Sequence, residues 1–546
     1  MPSRINWWSC LSFILLGATL AHSARLSDDV QALFNESMTI QDAIYDPSAS
    51  YLRYFYYPLA AGSHETRSTV WYSVGLLQRN NGNDDEEAVK ILRNVIGDQE
   101  KNVSAQWYGD YAVYPEEPTV GSPVYPPVIY NSWDPNWSLF IGSALIIIYE
   151  VFKSLLPGDV QDLILESLYN NTISDSYRVG GVDGDNLYPA YSNAWLMRTV
   201  VGSWTGRVWN DTNMTAAGDA DAHVFLQLFD GYHALSEFNG PTYAGVSIYA
   251  LTVAAKYLGS TNSTIGQHAV HAIQQIWDYE SQLWNPNMRN IAGPWDRSYG
   301  YDMNNYVAIM SLWLWTLIGR DGVWKTTSPI WTLAHADDFE IAPVLAVLSE
   351  FHKALIPDST ISRLKTFQGE HTYTGQAFAP PADYEPRNIT TWLSQNLAIG
   401  TQSFNQSVVG GFSEDSSSFS PSVVQWIRSD ESIGYFNLYP TETVLQAEVA
   451  PYELNLTYPL GNASSTFTFA VAPNPLGHKR DITALNDLDG ISIEIGGSVD
   501  VVPVIWFCGL VGGDCDPIHG FEFWNITFSM PADSCDIPHI QFKFGF

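Results

Sequence analysis

Cysteine is scarce in this chain, with four among 546 residues. Cys10 falls inside an apolar leader, which leaves Cys508, Cys515 and Cys535 and room for one internal bridge at most. The expected pair is Cys508 with Cys515, because the glycine-rich GLVGGD between them closes easily. A disulfide scaffold is thereby excluded and the fold must rest on apolar burial. At 46% hydrophobic residues the chain can bury one large domain and a smaller companion. Positive charge is scarce as well. Lys and Arg number 25 against 58 Asp and Glu, a net charge of −33. That excludes nucleic acid as a partner and disfavours a polyanionic substrate unless a local basic cleft overrides the field. Gly-rich dinucleotide and phosphate loops, H-E-x-x-H and G-x-S-x-G are all missing, so no cofactor and no serine-esterase mechanism is expected. HADDF offers His335, Asp337 and Asp338, yet no second His–carboxylate pair stands at ligand spacing. No metal is expected there, and the acids read as first-turn residues favouring a helix dipole.

What is present begins with a leader. Arg4, the apolar WWSCLSFILLGATLA and the small residues of AHSA form a secretory signal over residues 1–24, with the mature start near Arg25. The run is too short for a membrane anchor. An extracellular location gives meaning to the N-x-S/T sequons at Asn35, Asn102, Asn136, Asn170, Asn210, Asn213, Asn262, Asn388, Asn405, Asn455, Asn462 and Asn525. Their loops are expected at the surface. Oligomeric state is not legible.

Residues 67–380 alternate two kinds of helix. RSTVWYSVGLLQR and SLFIGSALIIIYEVF are apolar nearly all round, whereas DDEEAVKILRNVI and STIGQHAVHAIQQIWDY carry single stripes such as Ile265, Ala269, Ile273 and Ile276. The first kind must be enclosed and the second must cover it from outside. The pattern predicts a mainly α fold, an α/α toroid of five to seven hairpins spanning 25–365, which would be the catalytic domain. Residues 366–430, rich in Ser, Gly, Pro and Asn, read as a connector packed on the toroid. From 431 to 546, short runs such as STFTFAVA, FEFWNITF and HIQFKFGF predict an antiparallel β-sheet or sandwich.

Aromatic residues reach 14%, and many lie in Pro- and Gly-rich loops leading into the apolar helices, Trp133 and Trp295 among them. Such rings can line a cleft for sugars or apolar small molecules. Two segments are dense in chemistry. SEFNGPTYAGV offers Glu237, Asn239 and Tyr243, with Thr242 placed to cap the next helix. NIAGPWDRSYGYDM offers Asp296, Arg297, Tyr299, Tyr301 and Asp302. Asp302 also reads as the N-cap of a helix from Met303, and Asp296 beside Arg297 as a structural ion pair. Tyr243, Asp296, Tyr299 and Asp302 are the expected proton-transfer or positioning groups. Asn239, Arg297, Glu237, His335, Trp133 and Trp295 are the expected substrate binders. On this reading Asp296→Asn leaves melting nearly unchanged while activity falls ~10²-fold.

RSTVWYSVGLLQRN, YPPVIYNSWDPNW, SEFNGPTYAGVSIYAL and AGPWDRSYGYDMNNY resemble a group of secreted fungal proteins. The layout, a helical toroid followed by strands, is similar to that of the chondroitin AC, alginate and heparinase II/III-like polysaccharide lyases. In those lyases an Asn or Arg steadies a uronate carboxylate while Tyr or His handles protons, which the resemblance maps onto Asn239 and Tyr243 with His335 or His233. Hydrolysis by two carboxylates among Glu237, Asp296 and Asp302 is the alternative within carbohydrate chemistry. The expected function is glycosidic-bond cleavage by general acid/base chemistry in an aromatic cleft, hydrolysis or β-elimination. Two others stand beside it. One is a dehydratase, isomerase or cyclase of a small secondary metabolite, since the linalool dehydratase/isomerase type is similar in its α/α barrel. The other is a non-catalytic sugar-binding or wall-associated protein.

Overall fold

The structure, a computed structural model, describes residues 25–57, 62–411 and 417–546; the expected signal segment lies outside the described residues. Its helical part holds α1 (Asp28–Ile44), α2 (Thr66–Arg79), α3 (Asp84–Gly97), α4 (Asn136–Phe152), α5 (Gly158–Asp175), α6 (Ser192–Val208) and α7 (Thr212–Tyr232). It continues with α8 (Tyr243–Leu258), α9 (Thr264–Leu283), α10 (Ile309–Ile318), α11 (Arg320–Val323), α12 (Ala342–Leu355) and α13 (Asp358–Lys365). Three short pairings tie the loops: β1 (Tyr45–Asp46) with β2 (Tyr51–Arg53), β2 with β3 (His64–Glu65), and β4 (Trp284–Asn285) with β5 (Asn290–Ile291).

Among the described residues, six helices form the inner ring. α2 packs on α4, α4 on α6, α6 on α8, α8 on α10, α10 on α12, and α12 closes back on α2. Each of α2, α4, α6 and α8 is followed by an outer partner, α3, α5, α7 and α9, while α1 and α13 cover the α10–α12 side. Composition explains the division. The inner α4 buries Ile141, Leu145, Ile146, Ile147 and Ile148 around its whole circumference. The outer α3 buries a single apolar stripe, Ala88, Ile91, Leu92, Val95 and Ile96, with Asp84 the one acid of its first turn buried beside Arg79. Fully burying one such aliphatic side chain contributes about 1.5–3 kcal/mol, so an apolar-all-round helix is stable only in the middle. Asn136–Leu155 is long and apolar enough to cross a membrane by composition; here it is an inner helix enclosed by α2, α5, α6 and α8.

One helix start differs from expectation. The segment from Met303 to Ala308 is not helical, and α10 begins at Ile309 with Ala308 at the N-cap position. Asp302 therefore caps no helix; it closes a turn instead, accepting the Asn304 amide at 2.9 Å.

The β part is one antiparallel sheet of twelve strands: β6 (His371–Ala377), β7 (Arg387–Leu393), β8 (Leu397–Asn405), β9 (Ser422–Ile427), β10 (Ile433–Tyr439), β11 (Val444–Ala450), β12 (Glu453–Thr457), β13 (Thr466–Val471), β14 (Ser492–Gly497), β15 (Val504–Cys508), β16 (Phe523–Ser529) and β17 (His539–Gly545). Residues 366–430 are thus no connector. Four of the twelve strands lie there, and Ser, Gly and Pro occupy the turns between them. The sheet curls because β8 pairs with β9 through Leu397–Thr401 and with β11 through Phe404 and Asn405. Its two halves meet face to face: Phe436 on β10 stacks on Phe469 at 4.2 Å and meets Phe542 of β17 at 5.0 Å. Cys508 and Cys515 are bonded, and Cys535 is an exposed free thiol.

The loop that follows β5 docks this sheet onto the toroid. Trp295 exchanges both backbone hydrogen bonds with Ser420, and Gly293 lies directly on β8. A Cβ at Gly400 would stand 1.8 Å from the Gly293 carbonyl oxygen, so only glycine fits.

Candidate functional site at the inner-helix entrances

Inner helices that each hand over to an outer return helix must run parallel, so their N-termini share one end of the ring. Around that end stand Arg67 and Trp137 in the first turns of α2 and α4, Tyr191 just before α6, and Tyr243 as the first residue of α8. The 3₁₀ turn Ala336–Ile341, just before α12, adds Asp337 and Asp338. Several helix dipoles present partial positive charge here, which makes the end tolerant of carboxylates.

Two phenols and an arginine form the centre. The Tyr243 and Tyr299 hydroxyls are 2.5 Å apart. Arg297 lies over the Tyr243 ring at 3.8 Å and the Tyr191 ring at 5.0 Å, and donates to the Tyr299 hydroxyl at 3.3 Å. Its other side faces Glu237 at 3.5 Å, whose second oxygen accepts the amide and side-chain N–H groups of Asn193. Tyr299 stacks on the imidazole of His335 at 4.7 Å, and His519, from a loop of the β part, meets the Tyr299 ring at 5.2 Å. Burial pushes the Tyr243 phenol above its ordinary range and His335 below it, so both are neutral near pH 7.

A second wall is acidic. Tyr306 meets His335 edge-on, and its hydroxyl shares a hydrogen bond with Thr242, which also donates to Asp338 at 3.2 Å. Thr242 occupies the N-cap position of α8 but makes no side-chain cap bond. Burial, reinforced by the neighbouring Asp337 charge, pushes the Asp338 carboxyl up to about 8. Asp337 accepts the Tyr56 hydroxyl at 3.0 Å. Glu65 and Glu340 are raised by burial, and Arg67 donates to Glu65 at 3.2 Å while lying over Trp137 at 4.2 Å. Asp134 is raised by burial against the pull of Arg178, Arg67 and Arg297.

The structure thus gathers Glu237, Tyr243, Arg297, Tyr299 and His335, which lie far apart in sequence. It places the other expected residues elsewhere. Asp296 and Arg297 are not paired with each other. Asp296 points into the sheet, accepting the Phe238 amide and the Gln402 side chain at 2.6 Å each and an N–H of Arg387. Both its oxygens are in use, so it has no catalytic proton to trade. Asp302 is likewise saturated, by Asn290, Asn304 and Asn305. Asn239 sits in a left-handed turn and donates to the Ala292 and Pro294 carbonyls, pinning the loop where a substrate binder was expected. Trp295 is 0% exposed and packs with Tyr301, Val423 and Tyr435, so it offers no face to a sugar. Trp133 is buried beside Trp107. His233 caps the C-terminus of α7. Among the described residues no group of three or more His, Cys, Asp or Glu is arranged to hold a metal ion.

Two sequons are not surface loops. Asn136 accepts an N–H of Arg178 at 2.9 Å, and Asn170 accepts the Tyr108 hydroxyl at 2.8 Å; both side chains are buried. The other ten are exposed or half-buried.

Arg67, Glu65, Tyr56, Tyr191, Tyr306 and His519 were not singled out from the sequence. A charged residue opening an apolar helix, as Arg67 does, was a usable signal. His519 comes from the β part and had none.

Residues 31–350 match the family model described as Domain of unknown function (DUF8769), and residues 369–545 match Domain of unknown function (DUF8770). No curated protein matches the sequence. Among solved structures the chain is similar to a heparinase III, at 9% identity and a TM-score of 0.41, covering 96% of this chain and 86% of that one. It is also similar to a heparinase III gene product, at 8% identity and a TM-score of 0.30, covering 95% and 84%. Likeness at this level carries no argument about chemistry.

Proposed function

We propose, for a chain that belongs to the DUF8769 family, that the entrance cleft cleaves a glycosidic bond by general acid/base chemistry. The observation that carries this reading is the cluster in which Tyr299 bonds Tyr243, receives Arg297 and stacks on His335. Glycoside cleavage needs one proton given to the bridging oxygen and one removed, from water in hydrolysis or from a ring carbon beside a carboxyl group in elimination. The cleft supplies both kinds of group. Asp338, which keeps its proton to about 8, is the donor to the leaving oxygen. The neutral His335 imidazole is the acceptor, and the stack on Tyr299 holds it beside the phenol pair. Arg297 stabilises negative charge developing on either phenol. Tyr54, Tyr56, Tyr114 and Trp137, all half-buried, provide ring faces for sugar C–H surfaces. Export and N-glycosylation belong to the same proposal, supported by the apolar leader and the ten accessible sequons.

The test is incubation of the purified protein with a panel of neutral and acidic glycans, following reducing ends and unsaturated-product absorbance together. Reducing ends alone mean hydrolysis, and absorbance means elimination. Silence in both channels overturns the reading.

A further inference from the structure

We propose that the cleft wall formed by Asp337 and Glu340 beside Glu65 is a subsite for an ammonium group, so that the substrate is a glycan of free amino sugars. This rests on the glycan-cleaving reading and names its substrate class.

The acids of this wall lack a cation. Among the described residues, the two arginines at this end, Arg67 and Arg297, are already committed. Arg67 donates to Glu65 and lies over Trp137, Trp71 and Phe140 at 4.2, 4.8 and 5.2 Å. Arg297 is held by Glu237 and two tyrosine rings. Among the described residues, none of Asp337, Asp338 and Glu340 takes part in an ion pair with Lys or Arg. Glu340 is the sharpest case. It is 1% exposed, and neither carboxyl oxygen accepts a hydrogen bond of ordinary geometry. The hydroxyl beside it, Ser68, spends its one proton on Glu65 at 3.0 Å. A buried carboxyl without donor or cation is costly to the fold.

An ammonium would relieve this arrangement, bringing a positive charge and three donors. Rings stand ready for it: Tyr54 meets Tyr56 at 5.6 Å and Tyr114 at 5.7 Å, both edge-on, at the same wall. Arg67 over Trp137 shows that this surface already holds one cation against an aromatic face. A uronate carboxylate would instead bring a second negative charge beside Asp337 and disfavour ionisation of Glu340 further. The raised carboxyls point the same way. Burial and the charges of Glu65 and Asp337 keep Glu340 protonated, and an approaching ammonium lowers that cost, so binding should expel its proton while Asp338 keeps the one it donates.

Titration calorimetry of the full protein with a glucosamine tetramer and its N-acetylated counterpart, at pH 6.5 in two buffers of different ionisation enthalpy, tests this. The expected result is ~10-fold tighter binding of the amine form, with proton release, and loss of that preference in Asp337→Asn. Equal affinities in the wild-type protein, or binding without proton release, overturn the proposal, and neither outcome depends on the variant's folding. Cleavage followed in the same samples separates the two readings. Amine oligomer bound but uncut keeps the subsite and removes the cleavage function. Neutral glycans cut as well as amine glycans keep the cleavage function and remove the subsite.

Discussion

The hydroxyl of Tyr299 lies 2.5 Å from that of Tyr243, and the Tyr299 ring rests on the imidazole of His335 at 4.7 Å. One hydrogen bond joins the two phenols, and the Arg297 charge opposes the burial that raises Tyr243. Tyr243→Phe and Tyr299→Phe should each lower kcat ~10²-fold with little change in KM or Tm. A loss confined to KM would make the pair a binding surface instead.

Asp296 ties the toroid loop to the sheet. Arg387, buried, bonds both Asp296 and Asp383 and donates to the Ser236 carbonyl. Asp296→Asn breaks a buried pair and should cost about 3–5 kcal/mol, read as a lower melting temperature, with activity per folded molecule retained. This is the reverse of what the sequence led one to expect. The reason is that Arg387 and Gln402 stand 91 and 106 positions away. Asp296 was recognisable as important, but not as satisfied.

The legible part was periodic. Inner and outer helices could be told apart because α4 is apolar on every side and α3 on one, and α9 buries the stripe Ile265, Ala269, Ile273 and Ile276. Non-local pairing was not legible. His371–Ala377 alternates half-buried and exposed residues around a glycine, weak evidence for a strand until β7 lies beside it. The entrance cluster was half visible: Tyr243, Arg297, Tyr299 and His335 came from dense local segments, whereas Arg67, Tyr306 and His519 join it only through ring closure.

The activity profile should be set by two neutral groups. Asp338 must hold its proton and does so to about 8, so kcat/KM falls as pH rises through that value. His335, pushed below its ordinary 6.5 by burial, must stay unprotonated, which puts the acid limb below that value. Asp338→Asn should remove the alkaline limb and lower the plateau, as measured by kcat/KM from pH 4 to 9.

Stability should carry its own pH signature through Glu280. This residue of α9 is buried, neither oxygen has a partner, and burial pushes its carboxyl from 4.5 up to about 8. The folded state therefore binds more protons than the unfolded state across that window. Stability falls as pH rises through it, by up to about 1.4 kcal/mol per unit. Glu280→Gln should flatten the curve and raise Tm at pH 7.5 while changing little near pH 4.5. Denaturant unfolding of both forms at several pH values checks it.

The most direct measurement is a crystal structure of Tyr299→Phe with the glucosamine tetramer bound. The account predicts the sugar at the inner-helix entrances, its rings against Tyr54 and Tyr56, an amine at Asp337 and a glycosidic oxygen within reach of Asp338. Sugar seated elsewhere would contradict it, for instance in the cavity of about 420 Å³ between α5, α6 and α7 lined by Tyr169, Arg198 and Asp221.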